Sequence, residues 1–221
     1  MNSIVHLPLN TLPEQMARLE ALQKAVAEVC NALTPVVQQT RCWNRVGLHH
    51  LAYRDLRERF PHVGSQMICN AIYSVSRTCR VLFQAPGSPF NIGRYQDKAL
   101  PLLHFQPTTP VYFDRHTLSI KVGQLSMYTL DGRMKFQLDL TEEDVLRFQQ
   151  QKLREIVLAR VGKGYRLSFS FSDTPGSQDE SAEVTQYTPG DLPEYVLIAP
   201  ESFLVSPLTD PVPPTQQSLS R

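Results

Sequence analysis

The sequence predicts an α+β protein in which helices come first and antiparallel strands follow. Up to about residue 84 the apolar residues recur at helical spacing, and from 111 to 172 they alternate with polar residues in short runs. The stretch between them, 85–110, is rich in proline and glycine and has no sustained period, so it is predicted to be a long connecting loop. Helices and strands that are segregated along the chain are typical of the α+β class.

A short strand, SIVHLPLN, is predicted to precede the first helix. Thr11 with Glu14 three residues later fits a capping box, and Pro13 suits the first helical turn, where its missing N–H costs nothing. Pro35 is expected to end or kink this helix. The apolar positions that define the helix are Met16, Leu19, Leu22, Val26, Val29 and Leu33.

The stretch LHHLAYRDLRERFPHVGSQMICNAIYSVSRTCR, residues 48–80, predicts two more helices, about 46–60 and 65–84, separated by PHVG. Their inward faces are expected to hold Leu48, Leu51, Ala52, Leu56 and Phe60, and then Ile68, Ile72, Val75, Cys79 and Leu82. Their outward faces are expected to hold His50, Arg54 and Arg57, and then Gln66, Asn70, Tyr73, Arg77 and Arg80. Arginine forks match phosphate oxygens, and tyrosine and asparagine stack on or bond to bases, so these faces are candidates for binding nucleic acid. The alternative is an ordinary solvated face in which Asp55 and Glu58 pair some of the arginines.

Six short runs with period-two alternation predict strands in the second half: VYFD, HTLSIKV, QLSMYTL, GRMKFQLDL, LREIVLAR and YRLSFSFS. Asp131-Gly132 and the stretch 162–164 sit where hairpin turns are needed. A helix capped by Thr141, with Asp144 at its third position, is expected to interrupt the strands. From Asp173 onward the proline, serine and acidic content predicts an irregular tail, in which EYVLIAP and SFLV are candidates to dock as strands.

The formal net charge of +1 combines a basic body with an acidic tail. Residues 1–172 hold 21 lysines and arginines against 13 acidic residues, whereas 173–221 hold 1 against 8. This asymmetry indicates a polyanionic partner for the body, and a tail that either screens the body or keeps it soluble. The alternative is a chance excess of basic surface residues.

The sequence favours neither catalysis nor metal binding, and no cofactor is predicted. His49 and His50 point about 100° apart on a helix, so they do not share an ion. Glu142, Glu143 and Asp144 fit the first turn of a helix better than a catalytic site. The four cysteines show no metal-ligand or disulfide spacing and are expected to be buried free thiols. No secretory leader or membrane span is found, so the protein is expected to be soluble and cytoplasmic, with no membrane partner.

The order of these elements resembles the amino-terminal half of TnpB, the RNA-guided nuclease of certain insertion sequences and a relative of type V CRISPR effectors. The resemblance covers about residues 3–171 and is carried by TLPEQMARLEALQKAVAEVCNAL, YRDLR followed by GSQ, PVYFDRHTLSI, LSMYTLDGRMKFQL and LSFSF, in that order. It implies a wedge-type β-barrel of the oligonucleotide-binding (OB) kind, made from 1–10 and 111–172. It also implies an inserted three-helix recognition bundle (11–84), a connecting loop (85–110) and an acidic tail (173–221).

The resemblance places nucleic-acid contacts on the recognition helices and on the barrel hairpin. Carried over by position, the binding residues would be Arg54, Arg57, Asn70, Tyr73, Arg77, Arg80, Arg133 and Lys135, with Gly132 at the hairpin. His50 is added to this set because it shares the outward face of Arg54 and Arg57. The family's RuvC-type carboxylates and zinc ribbon have no counterpart after Phe171, and two-metal cleavage requires such carboxylates. The expected function is therefore a non-catalytic protein that binds structured RNA or DNA.

Two other hypotheses stay open at this point. One is a regulatory or protein-interaction module that acts with a separately encoded nuclease. The other is an enzyme of unrecognised type, which would need a cleft with perturbed carboxylates or histidines.

Overall fold

The computed structural model describes residues 2–121, 123–172 and 192–199, and it confirms the α+β class. The described helices are α1 (Pro13–Thr40), α2 (Arg45–Arg59), α3 (Ser65–Cys79) and α4 (Glu142–Gln150). The described strands are β1 (Asn2–Leu9), β2 (Leu103–Phe105), β3 (Val111–Phe113), β4 (Leu118–Lys121), β5 (Gln124–Thr129), β6 (Gly132–Gln137), β7 (Lys152–Val161), β8 (Gly164–Ser172) and β9 (Val196–Ile198).

All strand pairs are antiparallel and fall into three sheets. The largest has the order β1-β8-β7-β3, the second is β4-β5-β6, and the third is β2-β9. The first strand therefore joins the sheet of the last strands, and α1, α2 and α3 lie between β1 and β3 in the chain. No sheet of the described residues closes into a barrel, because the β4-β5-β6 sheet does not pair with an edge of the four-stranded sheet.

The strand and turn predictions for the second half are confirmed. The six alternating runs are β3 to β8, and Gly132 and Gly162 occupy their turns with φ of 87° and 59°, values that glycine tolerates without strain. Helix α4 begins after Thr141, whose hydroxyl accepts a hydrogen bond from the Asp144 N–H at 3.2 Å. The hairpin turns and this cap are therefore local features that the residues specify by themselves.

Helix α1 begins differently from the prediction. Its N-cap is Leu12 rather than Thr11, and the Gln15 side chain accepts a hydrogen bond from the Leu12 N–H at 2.9 Å. Gln15 thus takes the role expected of Glu14. The sequence therefore offers two ways to cap this helix, one at Thr11 with Glu14 and one at Leu12 with Gln15. Pro13 lies in the first turn in both cases.

Pro35 lies inside α1, so of the two effects expected it does not end the helix, and a kink there stays a prediction. Proline has no N–H to donate to the carbonyl of Asn31 one turn earlier. The Thr34 hydroxyl donates to that carbonyl instead, at 3.1 Å. A local side-chain hydrogen bond therefore replaces the missing backbone one, and the helix continues to Thr40.

One cluster of buried apolar residues extends through the helices and the sheets. Leu19 of α1, Phe83 after α3, Phe105 of β2 and Phe169 of β8 are all fully buried within it. The predicted inward face of α3 is confirmed, but Leu51 of α2 is 52% exposed, contrary to its assignment. The core does not stop at the expected boundary between helical and strand regions.

The connection 85–110 contains more structure than predicted. Strand β2 pairs with β9, so the expectation that EYVLIAP docks as a strand is confirmed, whereas SFLV lies outside the described residues. On its other side β2 is bound by Asn31, which accepts from the Phe105 N–H at 2.6 Å and donates to the Phe105 carbonyl at 2.9 Å. A helix side chain thus replaces a neighbouring strand at this edge.

Candidate nucleic-acid interface

The stripe on α3 that was expected to face solvent packs against the four-stranded sheet instead. Asn70 is only 7% exposed, and Tyr73 and Arg77 are half-buried. The Tyr73 hydroxyl donates to Glu155 Oε1 on β7 at 2.8 Å, and Arg77 Nη1 donates to the same oxygen at 3.1 Å. The helical period identified these residues as polar, but it contained no sign that β7 would supply a carboxylate.

This packing has an electrostatic consequence for the predicted site. Burial and, after it, the negative charge of Glu155 together raise the pKa of Tyr73 to about 12. The Tyr112 ring of β3 lies edge-on to Tyr73 with centroids 5.3 Å apart, and burial raises the pKa of Tyr112 well above its usual value. The charge of Arg77 is balanced by Glu155, so Arg77 offers less to a phosphate than an arginine without a carboxylate partner.

The predicted residues of α2 divide into two groups. Arg54 is 94% exposed on the side opposite the buried residues of α2, and it pairs with Glu58 at 3.5 Å. This ion pair matches the alternative of an ordinary solvated face. The ion pair between Arg59 and Asp55, at 3.7 Å, matches it as well. Arg57 is different, because it is half-buried and donates to the backbone carbonyl of Val63, a neutral partner.

A row of residues on α2 borders α3 and was only partly identified from the sequence. The row, called here the α2 row, consists of Arg45, His49, Tyr53 and Arg57, which are spaced four residues apart and so lie near one another on the helix surface. The His49 and Tyr53 rings are stacked, with centroids 4.4 Å apart and an interplanar angle of 15°. His50, a predicted residue, is exposed, and its ring lies edge-on to His49 at 6.1 Å. The i, i+4 spacing was the available signal for Arg45, His49 and Tyr53.

Both ends of the α2 row reach the half-buried stripe of α3. The Arg45 guanidinium carbon lies 5.5 Å from the centre of the Tyr73 ring. Burial raises the pKa of the Cys69 thiol, whereas the positive charges of Arg45 and Arg57 both lower it. The two arginines of α2 therefore both lie near Cys69 of α3.

The turn 114–117 connects α3 to the β5-β6 hairpin. Gln66 Nε2 donates to Asp114 Oδ2 at 2.6 Å, and Asp114 Oδ1 accepts from the N–H of His116 at 3.0 Å. Arg133 Nη2 donates to the carbonyl of His116 at 3.3 Å. Through this turn the structure brings Arg133 close to the N-terminal end of α3.

The hairpin presents its own cationic and aromatic side chains. The Arg133 guanidinium carbon lies 4.2 Å from the centre of the Tyr128 ring, which is 42% exposed. Lys135 is exposed on the same strand. Sequence reasoning missed Tyr128, although its pairing opposite Arg133 follows from the hairpin register.

The structure therefore groups some of the predicted residues and separates others. Gln66 of α3 and Arg133 of the hairpin meet at the turn 114–117, and Arg57 of α2 bonds the carbonyl of Val63 just before α3. Arg77 belongs to a half-buried ion pair, and Arg80 is half-buried in the π-helical turn Arg80–Gln84 that follows α3. The binding role of these residues remains a prediction.

Two searches for other kinds of site were negative within the described residues. No group of three or more histidine, cysteine, aspartate or glutamate side chains there is arranged to hold a metal ion. None of the helices in that part of the chain combines the length and hydropathy needed to cross a bilayer. All four cysteines are free; Cys30 and Cys79 are buried, whereas Cys42 and Cys69 are half-buried.

Comparison of the chain with models of known protein families gives no match, and comparison with curated proteins gives none either. The resemblance to TnpB therefore stays a prediction from motifs and their order.

Proposed function

We propose that this chain is a non-catalytic nucleic-acid-binding protein, derived from a TnpB-like ancestor, that grips RNA or DNA on the surface formed by α2, α3 and the β5-β6 hairpin. The observation that carries the proposal is the turn 114–117, which accepts hydrogen bonds from Gln66 of α3 and Arg133 of β6. Two regions that are distant in sequence, and that were identified independently as cationic, meet at this turn.

The charges on this surface are suited to phosphate. Arg45 lies over Tyr73, Arg133 lies over Tyr128, and Arg57 bonds a backbone carbonyl. Among the described residues none of these three forms a salt bridge with a carboxylate. Each therefore keeps its full positive charge and its unused N–H donors for an incoming anion.

The finer architecture is part of the same proposal. In this interpretation the four-stranded and three-stranded sheets are the two sides of a partly open OB-type barrel, and α1 to α3 are the insertion. The pairing of β1 with β8 supports it, because the chain leaves this sheet after β1 and returns at β3. We also propose a cytoplasmic location, and the four free cysteines suit a reducing compartment.

A protein-interaction role is the second candidate. Val145 and Leu146 of α4 and Leu153 of β7 are 39%, 50% and 36% exposed, although all three are large and apolar. Exposed apolar side chains within one short stretch favour contact with another protein. A separately encoded nuclease is the partner that this alternative names.

The test of nucleic-acid binding compares single arginine variants. Arg45→Gln, Arg57→Gln and Arg133→Gln are each expected to weaken binding of labelled RNA or DNA by about fivefold, which corresponds to loss of about 1 kcal/mol from one charge-assisted contact. Arg160→Gln is the matched control, because Arg160 pairs with Glu20 at 3.0 Å and is not part of the proposed surface. Equal losses for all four variants, or no binding by the unaltered protein, would contradict the proposal.

A further inference from the structure

The α2 row has the shape of a platform with a positive charge at each end. A helix rises about 1.5 Å per residue, so Arg45 and Arg57 are separated by about 18 Å along the axis. Between them lie the stacked rings of His49 and Tyr53. Two stacked rings therefore lie between two arginines along one side of α2.

The two rings have different environments. Tyr53 is half-buried and packs against the hydrophobic core, so its position is fixed by the fold. His49 is exposed and lies almost parallel to Tyr53. Tyr53 thus covers one face of the His49 ring, and the His49 side chain stays exposed to solvent.

We propose that the α2 row is a stacking platform for the unpaired bases of a single-stranded nucleic acid. This inference rests on the proposed function and specifies which form of nucleic acid the surface takes. Bases stack on aromatic side chains without regard to sequence, since every base has a π-face. Arg45 and Arg57 bind phosphates of the same strand that lie further upstream and downstream of the stacked base.

The geometry favours a single strand over a duplex. In a duplex each base already stacks on its neighbours, and its faces are not accessible to a side chain unless a base is extruded. An unpaired base incurs no such cost when it stacks on His49. The arginines alone would bind both forms, so the ring pair is what distinguishes them.

The experiment measures fluorescence anisotropy of a labelled oligouridylate and of a labelled RNA duplex of the same length. His49→Ala is expected to weaken oligouridylate binding by about 5- to 150-fold, the range for loss of one base–aromatic stack, and to change duplex binding much less. His49→Phe keeps a flat ring and is expected to restore oligouridylate binding. His62→Ala is the matched control, because His62 is also exposed but lies beyond α2 beside Phe60.

The outcomes separate this inference from the proposed function. Equal losses on both probes for His49→Ala, unchanged oligouridylate binding, or failure of His49→Phe to restore it would each overturn the platform. If Arg57→Gln and Arg133→Gln weaken binding while His49→Ala does not, the proposed function stands and the platform is wrong. If the unaltered protein binds neither probe, both are wrong.

Discussion

Asn31 binds strand β2 to helix α1 through the oxygen and the nitrogen of its side-chain amide. The Phe105 N–H and carbonyl that it bonds point away from β9, which bonds the residues on either side. Phe105 is fully buried, so without Asn31 these two backbone groups have no water to replace their partner. The side chain of one helix residue therefore completes the hydrogen bonding of a short sheet.

Asn31→Ala is expected to lower the free energy of unfolding by about 2 kcal/mol or more, because a buried donor and a buried acceptor each lose a partner. Gln38→Ala is the matched control two turns later on α1, where Gln38 makes a single hydrogen bond to the carbonyl of Leu100 at 2.8 Å. Equilibrium unfolding in urea should show a clearly smaller loss for Gln38→Ala. A loss for Asn31→Ala no greater than that of the control would refute the edge-binding role.

The Tyr73–Glu155–Arg77 cluster predicts a loss of stability at alkaline pH. The pKa of Tyr73 is about 12 in the folded protein against an ordinary value of 10, so the folded state holds this proton more tightly than the unfolded state. Its contribution to stability is complete below pH 10 and is lost as the pH rises through 12. Tyr73→Phe should be less stable at neutral pH, because Glu155 loses a donor, but its stability should fall less steeply between pH 10 and 12. Thermal unfolding across this range measures both slopes, and identical slopes would show that Tyr73 does not titrate in this way.

At the scale of residues, the sequence predicted which side chains make polar contacts better than it predicted the groups that they contact. The polar stripe of α3 was visible from its spacing, and Gln66, Tyr73 and Arg77 of that stripe do make polar contacts. Their partner, Glu155, is 78 residues away from Arg77, so no local pattern pointed to it. Asn31 was missed for the same reason, since its partner in β2 was expected to be part of an irregular loop.

At the scale of elements, β9 changes what the acidic tail is expected to do. Val196 is 2% exposed, and Tyr195 packs near Phe105 with ring centroids 6.5 Å apart. The N–H of Gln106 donates to the carbonyl of Tyr195, and the N–H of Ala199 donates to that of Leu102, both at 2.8 to 2.9 Å. Residues 192–199 are therefore part of the core and are not a removable appendage.

A chain truncated after Ala199 keeps β9. Truncation after Ser172 removes β9 and should cost about 2 kcal/mol or more relative to the longer chain, from the burial of Val196 and its neighbours. Calorimetric melting of the two truncated chains measures the difference. Equal melting temperatures would mean that β9 does not stabilise the fold.

The effect of the tail's negative charge on nucleic-acid binding must be tested in a protein that retains β9. Replacement of the five carboxylates between Ser172 and Leu192 by amides is expected to tighten nucleic-acid binding, if these charges compete with phosphates for the basic body. The substitutions are D173N, D179N, E180Q, E183Q and D191N. Unchanged affinity would leave the acidic segment with a role in solubility only.

Elements of regular local pattern were predicted well. Strands β3 to β8 and the cap of α4 follow from alternation and from the Thr141–Asp144 pair. The failures came where a side chain substituted for a backbone partner, as Thr34 does beside Pro35 and Asn31 does at β2. Strand β2 is three residues long and forms only because β9 and Asn31 bind its two sides, so its own sequence gave little indication of it.

At the scale of the molecule, a basic body of 21 lysines and arginines against 13 acidic residues was expected to form one cationic surface. The contacts of the individual arginines reduce the set that is proposed for that surface. Arg54 and Arg77 pair with carboxylates, whereas Arg45, Arg57 and Arg133 contact rings, hydroxyls or carbonyls. Composition alone does not distinguish these two groups of arginines, because the difference arises from which neighbours the fold supplies.

The salt dependence of nucleic-acid affinity tests the central claim most directly, because only phosphate contacts release counterions. If about five phosphates are neutralised, log affinity should fall with log salt concentration at a slope of roughly −3.5 for single strands to −4.5 for duplexes. Arg133→Gln should reduce the steepness of this slope by about 1, and Arg160→Gln should leave it unchanged. A slope near zero, or one that Arg133→Gln does not alter, would contradict the claim that the helices and the hairpin form one phosphate-binding surface.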